Sequence, residues 1–456
     1  MSRDDFPLLS FYGDDFTGST DAMEALTLGG LRTVLFLEPP EAEGLRDRFG
    51  HLQAVGVAGV SRTMSAEKMD TELPALFRRM KRLGTAIFHY KVCSTFDSSP
   101  TIGSIGHAID LGQEVFLSDY VPLVVGVPAL RRYSLFGNLF ATAGGETYRL
   151  DRHPTMRYHP VTPMLESDLR THLSHQTKKS IVLFDILHLT GKPHEVDQRF
   201  AELLGKEPDI VLFDVLDQPR LAEVGRLIWT HRDRDSSFVV GSSGVEYALT
   251  MHWRAAGMLP NHGPEMSFTP TQQLLVVSGS CSPATQQQIR WGLEHGFAGI
   301  KLRTARLVDP NLAAAESDAV TKQALDLLAA GRSPLLYTCL GPNDPQIRET
   351  TDKLHASNLD PRNTGEYLGE RLGEIVRRLL EETGVRRVAV AGGDTSGYVA
   401  RHLGIFALEM LAPTAPGSPL CRAYSRRACS DGLEIVLKGG QMGGPDYFGK
   451  VLRGLS

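Results

Sequence analysis

The sequence is poor in cysteine and has no strong excess of charge of either sign. Five of its 456 residues are cysteines, and none of them is spaced as CxxC. An odd, scattered set predicts reduced thiols and argues against a disulfide framework or a structural zinc site. Lysine and arginine together number 48 against 53 aspartates and glutamates, a formal net charge of −5. Because a nucleic-acid binder normally has a strongly basic face, no nucleic-acid partner is expected.

Long apolar runs and the commonest ligand signatures are also missing. No run reaches the roughly 18 apolar residues of a membrane span, and the opening MSRDDFPLLSF has early acids instead of the apolar core of a signal peptide. These absences predict a cytoplasmic protein without a membrane partner. The chain lacks GxxxxGK[ST], GxGxxG after a strand and GxSxG. It is therefore not expected to be a P-loop enzyme, a dinucleotide-binding enzyme or an α/β-hydrolase.

What the chain does contain is a series of short apolar runs that alternate with segments of helical periodicity. This alternation predicts an α/β fold with mostly parallel sheets flanked by helices. A polar, proline-containing segment at 258–271 interrupts the series, which then restarts. We therefore predict two domains, 1–262 and 263–456. The stretch 128–178, rich in Gly, Pro, Arg and His, is predicted to be a functional excursion or small subdomain.

Two adjacent acids, Asp14 and Asp15, follow the first predicted strand and precede a helix predicted over 19–29. Ligands of open α/β sheets bind just past the carboxyl ends of the strands. The two carboxylates are therefore expected to bind sugar hydroxyls, and one of them to accept a hydroxyl proton during phosphoryl transfer. The alternative is that these residues only cap the helix.

Cations and hydroxyls follow two further predicted strands. Lys91 precedes a run of hydroxyl side chains and an acid, and Arg62 has the planar guanidinium that suits a carboxylate. The segment 149–164 holds several Arg and His residues, which predicts a lid over an anionic substrate. For the turn after Lys91 the alternative is a cap of the following helix. For Arg62 it is an ordinary surface arginine, and for 149–164 a structural loop. The candidate substrate-binding residues are Arg62, Lys91, Ser94, Thr95, Asp97 and His159.

Three loops of small residues follow strands of the second half, at 276–285, 389–400 and 436–448. Glycine lets a backbone approach phosphate oxygens closely, and N–H groups at a helix start bind them. Three such loops in one domain predict a nucleotide site.

The strings GDDFTGSTDAMEAL, YKVCSTFDSSP, AGGDTSG and LKGGQMGGPDYF together resemble the four-carbon acid sugar kinases, in the right order over the whole chain. The resemblance implies an N-terminal sugar-binding domain, a C-terminal ATP-binding domain, and transfer of phosphate to the terminal hydroxyl of a small sugar acid. On the sugar side it implies roles for Asp14, Asp15, Arg62, Lys91 and the turn Ser94–Asp97. On the nucleotide side it implies contacts from Ser278, Ser280, Gly392, Gly393, Asp394, Thr395, Ser396, Gly439 and Gly440.

The string after Lys91 is similar to the 3-oxo-tetronate branch of that family, and the long 149–164 segment also suits a branched relative such as 3-oxo-isoapionate. A threonate or erythronate kinase remains an alternative substrate class. The expected cofactors are ATP and Mg²⁺, with Asp14 or Asp15 as base and no residue assigned to the metal. A non-catalytic ATP-responsive sensor and an aldolase or isomerase that uses Lys91 are the rival functions. Kinases of this size often dimerise, so a homodimer is also considered.

Overall fold

The computed structural model describes residues 7–43, 45–233 and 235–455, and its residues form two compact units that divide between Pro264 and Glu265. The limits predicted from sequence, 1–262 and 263–456, lie beside this division. They stay a prediction of where an independently folding domain would end. Each unit is described below by itself.

The first unit is built from apolar strands and the helices between them. Its strands are β1 Leu9–Gly13, β2 Thr33–Phe36, β3 Ala54–Ala58, β4 Ile87–Lys91, β5 Val121–Val124, β6 Arg132–Leu135, β7 Asn138–Ala143, β8 Glu146–Arg149, β9 Ile181–Phe184, β10 Ile210–Phe213 and β11 Ser237–Gly241. Its helices are α1 Phe16–Leu28, α2 Leu45–Phe49, α3 Ala66–Lys81, α4 Ile105–Phe116, α5 Leu169–Ser174, α6 Pro193–Leu204, α7 Gln218–Thr230 and α8 Gly244–Ala255.

A parallel sheet in the order β2-β3-β1-β4-β11-β5-β10-β9 forms the centre of this unit. Helices cover its faces, so β1 and β4 are buried throughout their length. Such strands read as continuous apolar runs, which is why the sequence revealed them. The register aligns Gly13 with Ala58 and with Lys91, so the loops after β1, β3 and β4 begin at the same edge.

The excursion predicted at 128–178 contains a separate antiparallel sheet in the order β6-β7-β8. Short 3₁₀ turns at Leu150–Arg152 and Met156–Tyr158 follow it. An isolated bridge joins Ser134 to Val215. The excursion is therefore an ordered part of the first unit.

The second unit repeats the α/β pattern. Its strands are β12 Leu275–Ser278, β13 Ala298–Lys301, β14 Pro334–Tyr337, β15 Arg387–Ala391, β16 Ile405–Ala412, β17 Leu420–Ser425 and β18 Glu434–Lys438. Its helices are α9 Pro283–Glu294, α10 Thr304–Leu307, α11 Ala313–Ala329, α12 Pro345–Ala356, α13 Thr364–Glu382, α14 Gly393–His402 and α15 Tyr447–Arg453.

The sheet of this unit has the order β13-β14-β12-β15-β18-β17-β16. The strands from β13 to β18 in that order are parallel, and β17 is antiparallel to both β18 and β16. Buried side chains on one face pack against α9 and α15. The predicted α/β class, with mostly parallel sheets flanked by helices, is confirmed. Within the three described ranges, no helix combines the length and the apolar character needed to cross a membrane.

Candidate active site

The two acids after β1 have different surroundings, although they are neighbours in sequence. Asp15 is the N-cap of α1, and its Oδ1 accepts a hydrogen bond from the Gly18 N–H at 2.6 Å. Its Oδ2 is bound by Arg62 at 3.0 Å. Asp15 therefore caps the helix, and its predicted role toward a ligand stays a prediction. Because Asp15 caps it, the helix begins at Phe16 instead of near residue 19 as predicted.

Asp14 is buried, and its Oδ1 has no hydrogen-bond partner among the described residues. Its backbone is fixed, since its N–H donates to Lys91 O at 2.8 Å and its carbonyl accepts from the Arg62 N–H at 3.0 Å. Burial and the nearby carboxylate of Asp15 raise the pKa of Asp14 to about 7, although Arg62 and Lys91 oppose this rise. A buried carboxyl that ionises near neutral pH is suited to accept a proton.

Arg62 connects the loop after β1 to the turn after β4. One Nη binds Asp15 and the other binds the Asp97 Oδ2 at 2.5 Å. Asp97 also accepts a hydrogen bond from Thr95 Oγ1 at 2.6 Å. Burial opposes ionisation of Asp97, but Arg62 and Thr95 keep its pKa below the ordinary value. The side chain of Arg62 is 24% exposed, which leaves part of the guanidinium open to a ligand.

Lys91 ends β4 and is buried beneath α1. Its Nζ donates to Val92 O at 3.1 Å and lies 3.7 Å from Asp21 Oδ2. Burial would lower the pKa of Lys91, but the carboxylates of Asp21, Asp14 and Asp15 more than offset this and raise it. A lysine held protonated is a poor Schiff-base nucleophile. The aldolase alternative therefore loses its central residue.

The 149–164 segment contacts this cluster through one residue that the sequence did not single out. Thr162 Oγ1 lies 3.3 Å from Asp97 Oδ2, and the Thr162 N–H donates to His159 Nδ1 at 3.0 Å. The predicted lid residue His159 is thus brought to the carboxylate of Asp97. Ser94 lies beside the cluster in the turn after β4 and is half-buried.

In the second unit, the three small-residue loops begin at the same edge. Strand pairing places Ser278 opposite Ala391, and Ala391 opposite Lys438, so the loops after β12, β15 and β18 begin side by side. The Ser282 and Thr285 hydroxyls both donate to Gly440 O, the latter at 2.7 Å. A Cβ at Gly440 would lie 2.5 Å from Ser280 Oγ, so a larger residue there would force that hydroxyl to move.

The loop after β15 leads directly into α14, with Gly392 as the N-cap. Gly392 has φ +124°, a conformation that favours glycine, and its N–H donates to Lys438 O at 2.9 Å. Ser396 Oγ donates back to Gly392 O at 2.7 Å. Gly393 and Asp394 are exposed, whereas Thr395 and Ser396 are buried. Free N–H groups at the start of this helix are therefore available to an anion. Gly439 lies in the half-buried turn after β18.

The described residues contain no group of three or more His, Cys, Asp or Glu side chains that could hold a metal ion. A cavity of about 650 Å³ is lined by residues such as Val385, Arg386 and Cys429. It lies at the amino end of β15, opposite the end that carries Gly392, and so belongs to neither ligand site.

Comparisons with known proteins agree with this arrangement. A family described as a sugar-binding N-terminal domain matches residues 9–249, and one described as a nucleotide-binding C-terminal domain matches residues 275–448. The chain belongs to the four-carbon acid sugar kinase family. It is 48% identical to a 3-oxo-isoapionate kinase of Paraburkholderia graminis, over 98% of this chain and 94% of that one. It is 31% identical to a 3-oxo-tetronate kinase of Cupriavidus necator, over 98% and 97%.

A solved structure from Salmonella typhimurium LT2 shares the fold, with a TM-score of 0.77, 23% identity and coverage of 98% and 99%. The predictions of the family and of a kinase are confirmed. The individual roles given to the site residues stay predictions.

Three polar residues at these sites were not predicted from the sequence, because their partners lie far away in the chain: Asp21, Thr162 and Lys438. The signal for Asp21 and Lys438 was a charged residue within an otherwise buried element.

Proposed function

We propose that this kinase transfers the γ-phosphoryl group of ATP to a hydroxyl of a branched 3-oxo sugar acid of the 3-oxo-isoapionate type. The names of the relatives support the substrate class, and 48% identity over nearly the whole of both chains supports the branched acid over 3-oxo-tetronate, whose kinase is 31% identical. The finer predictions of a cytoplasmic location and a homodimer accompany this proposal as expectations.

The observation that carries the proposal is the buried carboxyl of Asp14, whose pKa is raised to about 7. The charged groups that act on it are the cations Arg62 and Lys91 and the acids Asp15 and Asp97. In the proposed reaction, Asp14 accepts the proton of the substrate hydroxyl. The hydroxyl oxygen then forms a bond to the γ-phosphorus of ATP as the bond to the β–γ bridging oxygen breaks, which releases ADP. Asp15 is less suited to this role, because a helix N–H and Arg62 already engage both of its oxygens.

Arg62 and Lys91 supply positive charge for the substrate carboxylate. Arg62 is fixed by Asp15 and Asp97, so its orientation is set before a ligand arrives. The turn with Ser94 and Thr95 provides hydroxyls beside it. A site in which acids hold the cations in place binds an anion without first ordering flexible side chains.

The glycine-rich loops after β12, β15 and β18 are proposed to bind the ATP phosphates through backbone N–H groups and the Ser280, Thr395 and Ser396 hydroxyls. Asp394 is exposed beside open space at Gly393, which fits a Mg²⁺ carried mainly by the ATP phosphates with at most one protein carboxylate. Mg²⁺, when bound with ATP, neutralises charge on the transferred phosphoryl group.

The test is ADP release from Mg-ATP in the presence of 3-oxo-isoapionate, 3-oxo-tetronate, threonate and erythronate, for wild-type protein, Asp14→Asn and Asp47→Asn. Asp47 is an exposed acid of the same unit and serves as the matched control. We expect the fastest ADP release with the branched oxo acid. This release should be lost in Asp14→Asn and kept in Asp47→Asn. Release with threonate alone would overturn the substrate class. ATP binding without release for any acid would favour the sensor function.

A further inference from the structure

The last residue of β18, Lys438, is a fully buried lysine directly before the Gly439-Gly440 pair. Its Nζ lies 3.4 Å from Thr285 Oγ1 in the first turn of α9 and 5.7 Å from the centre of the Tyr447 ring. The Thr285 hydroxyl in turn donates to Gly440 O at 2.7 Å. The ammonium group is therefore connected to the glycine-rich loop through one hydroxyl.

No carboxylate of the described chain pairs with this ammonium. In the described part of the chain it contacts Thr285 from α9 and the Tyr447 ring from α15, and Ala391 of β15 is paired beside it. Of these three residues, Tyr447 is the titratable one, and no charged side chain contributes to the pKa of Lys438. Burial alone lowers the pKa of Lys438 to about 8. A buried charge without an opposite charge beside it is costly, so its presence calls for an explanation.

A buried hydroxyl without a hydrogen-bond partner lies on the same face of the sheet. Ser278, Ala391 and Lys438 are paired across neighbouring strands, and residues so paired point to the same side. The Ser278 Oγ is buried and has no hydrogen-bond partner among the residues that the structure describes. This face packs against α9, whose first turn holds Thr285. A cation, an unpartnered hydroxyl and a helix N-terminus thus gather beneath the loops, and all three favour an anion.

On the basis of the proposed function, we propose that Lys438 is the counter-charge of the nucleotide phosphates, which supply the anion that its own surroundings lack. Because its side chain is fully buried, Lys438 acts through Thr285 and the Gly440 loop and is a positioning residue. Its positive charge lies in a low-dielectric region, where it attracts phosphate oxygens at longer range than a solvated lysine does.

This role links nucleotide binding to protonation of the lysine. A bound polyphosphate stabilises the ammonium form, so the nucleotide complex holds the proton to a higher pH than the free protein does. Nucleotide affinity is then greatest below about pH 8 and falls as the pH rises through that value. Each unit by which the complex raises the pKa of Lys438 corresponds to a tenfold effect on affinity.

The experiment is calorimetric titration of the full chain with Mg²⁺ and a non-hydrolysable ATP analogue at about pH 7.5 and 9.5, in two buffers of different ionisation enthalpy. Wild-type protein is expected to bind about tenfold more weakly at the higher pH and to take up part of a proton between these values. Lys438→Met is expected to bind about tenfold more weakly at the lower pH, with no pH dependence and no loss of thermal stability. Lys322→Met, which removes an exposed lysine of the same unit, should match the wild type.

Lys438→Met with the affinity and pH dependence of the wild type would overturn the inference. So would wild-type binding without proton uptake, a result that does not depend on the folding of any variant. Both outcomes leave the kinase proposal intact, because ADP release in the presence of sugar acids tests that separately. Wild-type protein that binds no nucleotide at all would instead overturn the kinase proposal and this inference with it.

Discussion

Each unit of the protein contains a buried lysine at the carboxyl end of a parallel strand, and the two differ in what surrounds them. Lys91 ends β4 among the carboxylates of Asp21, Asp14 and Asp15, which raise its pKa. Lys438 ends β18 beside a hydroxyl and an aromatic ring, and burial lowers its pKa to about 8. A buried lysine at the carboxyl end of a strand therefore has opposite electrostatics in the two units.

The difference matches the ligands that the two units are proposed to bind. A sugar acid brings a single carboxylate and several hydroxyls, so its site needs acceptors as well as cations, and the protein supplies both. A nucleotide brings several phosphate charges, so its site needs uncompensated positive charge. A buried cation without an acid thus indicates where the more highly charged ligand belongs.

The largest expected effect is on the free energy of unfolding when each lysine is replaced by methionine. Lys91→Met leaves Asp21, whose side chain is 14% exposed, without its cation. Because loss of one partner of a fully buried pair costs about 3–5 kcal/mol of unfolding free energy, we expect a cost near the lower end of that range. Lys438→Met removes a buried charge that has no acidic partner, and should leave the stability unchanged or higher. Urea unfolding of both variants measures the contrast, and Lys91→Met/Asp21→Asn should recover part of the loss. Equal destabilisation by the two substitutions would contradict the comparison.

Asp14→Asn should remove most of the activity. A positioned general base contributes about 10²–10⁴-fold to the rate. In the wild type, kcat/KM for the acceptor should fall about tenfold for each pH unit below about 7, because the carboxyl must be ionised to accept a proton. The pH–rate profile measures this, with Asp47→Asn as the control. A profile that is flat down to about pH 5 would exclude Asp14 as the base.

The same substitution should affect stability in the opposite direction. The pKa of Asp14 is raised in the folded state, so folding favours the protonated acid, and this contribution to stability is lost as the pH rises through about 7. Asp14→Asn should therefore unfold at a higher temperature than the wild type at about pH 8, with a smaller difference at about pH 5. Thermal scans at the two pH values measure the change. A variant that is less stable than the wild type at about pH 8 would show that Arg62 and Lys91 depend on the charge of Asp14.

Arg62→Lys should lower kcat/KM for the sugar acid about 10–100-fold and leave the KM for ATP unchanged. The guanidinium binds Asp15 and Asp97 through separate nitrogens, and a lysine ammonium does not reproduce that planar geometry. Steady-state kinetics with each substrate varied in turn distinguishes the two sites. Arg78→Lys, at an exposed position of α3, is the control. An increase in the KM for ATP of the same size would mean that Arg62 serves both ligands.

The sequence predicted the parallel strands well, because a strand covered on both faces is a continuous apolar run, as in Ile210–Phe213. It did not predict β13, β16 or β17, each of which has exposed or half-buried positions along its length. In Ile405–Ala412 the half-buried positions interrupt the apolar pattern. The loops were found for the same reason as the parallel strands, since each follows a buried strand.

Individual site residues were harder to predict, because their roles depend on partners distant in the chain. Asp14 and Asp15 are adjacent residues of the same type, so the sequence does not distinguish them. In the structure they differ because Asp15 caps the helix and binds Arg62. Lys438 precedes two glycines and is easily taken for part of the exposed loop, and its burial depends on α9 and α15. Sequence patterns thus indicate where strands end, whereas the electrostatics of those ends follow from packing.

The smallest expected effect concerns the contact of the 149–164 segment with Asp97. Thr162→Val removes a hydroxyl that lies 3.3 Å from Asp97 Oδ2 and 3.0 Å from His159 Nδ1. At 3.3 Å the bond to the Asp97 carboxylate is longer than a usual O–H···O hydrogen bond, so we expect it to contribute only about 0.5–1.5 kcal/mol. This corresponds to about a two- to tenfold increase in the KM for the sugar acid. Thr162→Ser should retain the wild-type value, and Thr155→Val, at an exposed position of the same segment, is the control. The acids of the first unit bind cations and hydroxyls alike, so loss of one hydroxyl should weaken substrate binding without a change in the pH dependence. A shift of the kinetic pKa in Thr162→Val would instead show that this contact helps to set the charge of the acid cluster.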